Sequence, residues 1–360
     1  MFKAVCVALC VVVCVDITNS SCIFSAYCDY GQDENIVDES QNCTNIEEKT
    51  FEQLLSMDKA YFIRDLTVFN CLEKLTPGSF NNMVNLNELN LEDNVFGKIP
   101  LNCFNSSSLV TLKMAECKIE SIEEKLGHLP KLLRLVLNNN KLTNFSSEVL
   151  SHPENLRYLD LKYNELTILT YEMFSGLKRL NVLNLSFNKI NLIEPDSLAT
   201  MPRINSLGLA GNNIQTLTGN ELPRQGFQHL KVLYLGKNRL MFLHSYFLSK
   251  LGTNFDIELG ENPWHCRCLD IMLKYLEARN ISVTDWDNKL AERNDVPYCI
   301  LPSDTDCDYK YKLPLVHKYL NEINMKKVSY HHADRLVHSS GFVGPTTRMR
   351  SYNNIHIVGL

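Results

Sequence analysis

The chain has 360 residues, 45% of them hydrophobic and 21% charged, enough apolar side chains to bury a large core and to exclude disorder over most of its length. Its formal net charge of −5 leaves no basic surplus to neutralise phosphates, which argues against a nucleic-acid binder. Leucine and asparagine, 53 and 37 residues, rise together, as in a repeat that assigns each a place.

At the N-terminus Lys3 precedes the apolar run Ala4 to Val15, and small polar residues follow to Ser20. A run this short cannot cross a hydrocarbon core that needs about 20 residues. Residues 1–20 therefore read as a secretory signal peptide cleaved after Ser20. No later stretch approaches that length without charges, and Ile355 to Leu360 is too short for a lipid-anchor signal. A secreted, extracellular protein with no membrane span is expected. Of 13 cysteines, Cys6, Cys10 and Cys14 leave with the signal, and the even remainder suits an oxidising compartment. Sequons at Asn42, Asn105, Asn144, Asn184 and Asn280 are candidate glycosylation sites; one at Asn19 leaves with the signal.

Residues 21–62 read as an N-terminal cap, and residues 63–262 carry about nine copies of L-x-x-L-x-L-x-x-N-x-L-x-x-L. The register runs through Leu86-Leu89-Leu91-Asn94, Leu109-Leu112-Met114-Cys117, Leu132-Leu135-Leu137-Asn140, Leu156-Leu159-Leu161-Asn164, Leu180-Leu183-Leu185-Asn188, Ile204-Leu207-Leu209-Asn212 and Leu230-Leu233-Leu235-Asn238. Degenerate copies flank these at Ile63-Leu66-Val68-Cys71 and Ile257-Leu259-Asn262. In L-x-L alternate leucines point inward from a short strand, and the next strand lies about 4.8 Å away in a parallel ladder, so leucines stack in columns. Asparagine sits where the chain leaves the strand, its amide meeting backbone groups that the bend would strand in the core. Cysteine at that place, as in Cys71 and Cys117, is expected to fill the volume but forgo most of those hydrogen bonds. No repeat is stable alone, so both open ends need covers.

Over residues 60–265 this pattern resembles the extracellular leucine-rich repeat family. The resemblance implies an α/β solenoid, a horseshoe with a parallel β-sheet on its concave face and disulfide-bonded terminal caps. At the N-terminal end lie Cys22, Cys28, Cys43 and Cys71, with Cys43 paired to Cys71 as a working assignment. Cys103 and Cys117, in neighbouring repeats, either bond or remain buried thiols.

Residues 263–312 read as the other cap. Asn262-Pro263-Trp264-His265-Cys266-Arg267-Cys268 is followed by Leu269, Met272, Leu273 and Leu276 at helical spacing, then Cys299 and Cys307. This resembles the C-terminal capping domain of secreted leucine-rich repeat proteins, and the resemblance implies Cys266–Cys299 and Cys268–Cys307. A zinc site is the competing reading, but C-x-C is unusual zinc spacing and secreted thiols oxidise. No metal or cofactor is expected.

Residues 313–360 read as a short helix, Leu313 to Val328, and a basic tail too polar to pack; residues 326–360 hold five Lys/Arg against one Asp. The helix lacks the three or four heptads of a coiled coil. His331, His332 and His338 read as solvated, and His128 and His152 as surface residues of inter-repeat turns. There is no G-x-S-x-G elbow, H-E-x-x-H or glycine-rich phosphate loop, so no enzyme is expected.

The outward positions of the strands run from Asp65-Thr67-Phe69 to Asp256-Glu258-Gly260. They are acidic in the first tiers, mixed in the middle and small in the later ones. Arg134, Tyr158, Lys162 and Tyr234 are the candidate contacts, since Arg and Tyr are the usual interface anchors. Asn184 occupies the middle outward position of its strand, so a glycan there would stand over Asp160 and Gly208 and exclude a partner. The whole combination is similar to the secreted leucine-rich-repeat immune proteins of mosquitoes, in their coil-less form. That likeness implies recognition of an extracellular protein or microbial surface glycan, and by family resemblance a complement-like thioester protein. An extracellular matrix or adhesion component is the other reading.

Overall fold

The computed structural model describes residues 63–284 except 70, 71, 73, 82 and 123, together with Val11–Ile17, Ser20–Cys28, Cys299–Ile300 and Ile357–Val358. Cys43, Cys71, Cys307, Asn42, the Leu313 to Val328 helix and the basic tail apart from Ile357–Val358 lie outside the described residues. The chain divides into two compact units, residues 1–166 with 172–183, and residues 167–171 with 184–360.

The first unit is a ladder of short strands. Val11–Ile17 lies antiparallel on Ser20–Cys28, which lies antiparallel on Ile63–Phe69. From there the pairing is parallel, through Glu88–Asn90, Thr111–Lys113, Arg134–Val136 and Tyr158–Asp160. In the second unit Ser206–Gly208, Val232–Tyr234, Asp256–Glu258 and Ser282–Thr284 pair in parallel. The last of these adds a rung beyond the repeats, from a segment whose sequence carries no leucine pattern. The repeat strands bury a central aliphatic residue, so Leu66, Leu89, Leu112, Leu135 and Leu159 form one apolar column, and Leu207, Leu233 and Ile257 form its counterpart, whereas Val283 of the last rung is only half-buried. The solenoid fold follows from that register.

The asparagines hold the bends as their chemistry predicts, and they also tie each repeat to the one before. Asn164 Nδ2 donates to Leu161 O in its own repeat (3.1 Å) and to Leu137 O in the preceding one (2.9 Å), while Oδ1 accepts the Leu142 N–H (3.0 Å). Asn238 repeats the arrangement with Leu235 O (2.9 Å), Leu209 O (2.9 Å) and Ile214 N–H (3.1 Å). Asn94, Asn140, Asn212 and Asn262 do likewise.

At Cys117 the thiol lies within reach of Leu91 O (3.0 Å) and Ala115 O (3.2 Å), but its one weak S–H can serve only one of them, so most of the bonds that an asparagine makes there are given up. Cys103 and Cys117 are free, buried thiols rather than a disulfide, and burial pushes them up to about 11 and about 12.

The residue before each of these asparagines, and before Cys117, adopts the left-handed conformation. It is Asp93, Glu116, Asn139, Tyr163, Phe187, Gly211, Lys237 and Glu261 in turn, with φ between 52° and 68°. Only one is glycine, so packing of the repeat imposes the bend against local preference at most of them.

Trp264 is fully buried and its indole N–H donates to Leu259 O (2.9 Å). The helix Cys266–Ala278 buries Cys268, Leu269, Met272, Leu273 and Leu276. Cys266 and Cys268 are disulfide-bonded, and Trp264–His265 pairs in parallel with Cys299–Ile300.

Candidate recognition surface

The outward side chains of the first unit stand in two columns fixed by the strand register. One runs Asp65, Glu88, Thr111, Arg134, Tyr158, and the other Thr67, Asn90, Lys113, Val136, Asp160, although Val136, read from sequence as outward, is buried. Burial and the neighbouring Glu88 carboxylate hold Asp65 above its ordinary range. Glu88 forms an ion pair with Lys113 on the next rung, both partly exposed.

Two of the four predicted contacts, Arg134 and Tyr158, meet beside Asp160, and a third, Lys162, meets that carboxylate through its backbone N–H. The Arg134 guanidinium carbon lies 3.6 Å from the centre of the Tyr158 ring. The Tyr158 hydroxyl donates to Asp160 Oδ2 (3.2 Å), and Asp160 Oδ1 accepts the Lys162 N–H (3.0 Å). Lys162 Nζ lies 4.7 Å from the ring centre of Tyr163. Burial raises the Tyr158 phenol above its ordinary value, Asp160 adds to this, and Arg134 opposes it. A stacked Arg–Tyr pair of this kind is rigid, half-buried and amphipathic, the properties of a binding anchor.

Tyr234 belongs to the other unit and stands between Gly208 and Glu258 on flanking rungs. Glu258, read from sequence as an exposed outward residue, is 3% exposed. Its carboxylate accepts the Gly236 N–H (2.7 Å) and the Gly260 N–H (3.1 Å). Gly236 makes this burial feasible, because a Cβ there would lie 2.0 Å from Glu258 Oε1. The alternation of the strand could not reveal it, since the space comes from a missing side chain on another rung.

Asn90, Asp160 and Asn184 share a role that the repeat template does not mark. Each side-chain oxygen accepts the N–H two residues on, at 3.1, 3.0 and 3.2 Å. Asn or Asp at the last strand position is the signal that could have shown it. Asn184 Oδ1 also lies 2.6 Å from where a Cβ on Gly208 would sit, so its side chain leans over that glycine. Of the other sequons, Asn144 is exposed, Asn105 takes the His128 N–H on Oδ1 (2.9 Å), and Asn280 donates to Asn254 Oδ1 (2.6 Å).

Among the described residues no cluster of His, Cys, Asp and Glu is arranged to hold a metal ion, and no helix is long and apolar enough to cross a membrane. His128 and His152 meet edge to face with centres 5.9 Å apart, and His152 contacts Glu154 (3.2 Å).

The family model for the leucine rich repeat matches residues 107–166 and 163–214, and that for the BspA type leucine rich repeat region (6 copies) matches residues 15–126. No curated protein sequence matches the chain. Among solved structures the chain is similar to human 5T4, the trophoblast glycoprotein, with 21% identity and a TM-score of 0.52 over 67% of this chain and 88% of that one. It is also similar to the leucine-rich repeat domain of APL1B, a mosquito protein, with 20% identity and a TM-score of 0.43 over 60% and 65%. An LRR protein of Leptospira interrogans, LIC12759, gives 19% identity and a TM-score of 0.47 over 72% of each chain. The first of these likenesses speaks for the fold alone, and domains of this fold generally bind proteins. With the repeat register, the asparagine bonds and the two family models in agreement, the chain is a leucine-rich repeat protein.

Proposed function

We propose that this is a secreted recognition protein, not an enzyme, that binds another extracellular protein through the outward strand face of its first unit. The observation that carries the reading is the Arg134–Tyr158 stack braced by Asp160. Nothing in the packing of the repeat requires an Arg over a Tyr at those outward positions, whereas a protein partner gains from rigid anchors there. Lys162 belongs to the same contact set. Tyr234, on the second unit, is a separate candidate contact.

Secretion rests on the signal-like residues 1–20 and the cysteine usage. Cleavage after Ser20 would remove Val11–Ile17 and Ser20 and leave residues 21–28 as the edge strand on Ile63–Phe69, a cover running antiparallel to the ladder. In the C-terminal cap we pair Cys266 with Cys299 and Cys268 with Cys307, which leaves no thiolates for zinc. Supporting the first bond, the parallel register sets Cys299 opposite Trp264, two residues before Cys266. Cys43 with Cys71 is the corresponding proposal at the other end. Glycosylation at Asn42, Asn105, Asn144, Asn184 and Asn280 belongs to the same reading, as does a role in innate immunity with a microbial surface component or a thioester protein as ligand.

Affinity purification from the native fluid, followed by hydrogen-exchange footprinting of the recovered complex, tests the proposal. Protection of the strands Thr111–Lys113 to Tyr158–Asp160 is expected. A footprint confined to the segments between the strands would sink it.

A further inference from the structure

Resting on that reading, we infer that Arg134 is a carboxylate-binding anchor. Its partner is a protein segment that presents an acidic side chain to Arg134 and a basic one toward Asp65, about 14 Å away. The distance is three rungs of the ladder at about 4.8 Å each.

Among the described residues Arg134 makes no ion pair, and its guanidinium is engaged with Tyr158. Stacking through the face of a guanidinium leaves N–H groups of its rim open to a planar, bidentate acceptor. The carboxylates nearest in the register are already committed. Glu88 is paired with Lys113, while Asp160 holds the Tyr158 hydroxyl and the Lys162 N–H.

Tyr158 restricts the side-chain freedom of Arg134 before any partner arrives, so little ordering is left to be lost on binding. The site is half-buried, where a charge-assisted pair is less screened than on an open surface. Its surroundings favour a singly charged ligand group. Asp160 lies beside the stack, and Glu88 and Glu92 occupy the same outward face, so a doubly charged phosphate would meet repulsion that a carboxylate largely escapes. The far end supplies the complement. Asp65 and Glu88 are adjacent acids with one lysine between them and Arg134, so a partner basic group there is favoured over a second acid.

The experiment is a selection from a displayed library of random 12-residue peptides on the full chain, with folding of every variant checked by circular dichroism. Enriched peptides are expected to carry an Asp or Glu and, a few residues away, a Lys or Arg. Replacing the acid by its amide should weaken binding at least tenfold on the parent and leave binding to Arg134→Gln unchanged. Arg134→Lys, which keeps the charge but not the fork, should fall with Arg134→Gln. Hydrogen-exchange footprints of the enriched peptides separate the two levels of the argument. Peptides that protect the first unit's outward strands, yet bind Arg134→Gln as tightly as the parent, overturn this inference and leave the recognition surface standing. Peptides that footprint elsewhere, or a library that enriches nothing, count against both. Enrichment of phosphate-mimicking poly-acidic sequences with no basic residue would also overturn the proposed partner chemistry.

Discussion

The two units share an interior and differ on the outward face. Leu159 and Leu233 occupy equivalent buried positions, and Asn164 and Asn238 make the same set of bonds. Outside, the first unit presents Asp65, Glu88, Lys113, Arg134 and Tyr158, whereas the second presents Ser206 and Tyr234 and buries Gly208, Ala210 and Gly236. Packing constrains the first set of positions in every repeat, because a stacked column tolerates neither a missing methyl nor an unpaired amide. It leaves the second set open, and that is where the units diverge.

The sharpest way to break the comparison is to attack the shared interior. Leu159→Ala and Leu233→Ala should each cost about 2–5 kcal/mol, since both leave a cavity in a closed column. Denaturant midpoints would measure this, and a large cost in one unit with none in the other would refute the common register. Asn164→Ala and Asn238→Ala should each cost about 1–3 kcal/mol, because two carbonyls and one N–H lose their partner in the core.

The outward faces should respond unequally. Gly236→Ala in the second unit should destabilise by about 1–2 kcal/mol, because the new Cβ displaces the Glu258 carboxylate from two backbone N–H groups. Thr111→Ala, at an outward position of the first unit, should stay within about 0.5 kcal/mol of the parent. Equal effects at both would remove the distinction between a built face and an open one.

The smallest effect is electrostatic. Asp65 should titrate above its ordinary value near 3.8, and Glu88→Gln should lower it only part of the way, since burial is the larger cause. A carboxyl held high binds its proton more readily in the folded chain. It therefore favours the folded state below pH 3.8, and that contribution is lost as pH rises through the raised value. Carbon-detected NMR of the Asp65 carboxyl checks both statements.

Much of the interior was legible in the sequence because leucine and asparagine recur at a fixed step and each has one chemical reason to be there. The left-handed bends were not. Asp93, Asn139 and Gly211 hint at them, but Tyr163, Phe187 and Lys237 adopt the same φ without any local preference for it. The buried Glu258 was hidden for a related reason, as its space is created by Gly236, 22 residues earlier. Of the predicted contacts, Arg134 and Tyr158 meet because 24-residue spacing sets them on neighbouring rungs. Asp160, which braces them, was read only as one outward residue among many.

The account turns on outward residues of the first unit serving recognition rather than stability. An alanine scan of Arg134, Tyr158, Lys162 and Tyr234, scored for both denaturant midpoint and binding to the partner recovered from native fluid, tests this most directly. The account predicts that Arg134→Ala and Tyr158→Ala abolish most binding while their midpoints move little. Full binding by both variants, or loss of binding that tracks loss of stability, would contradict it.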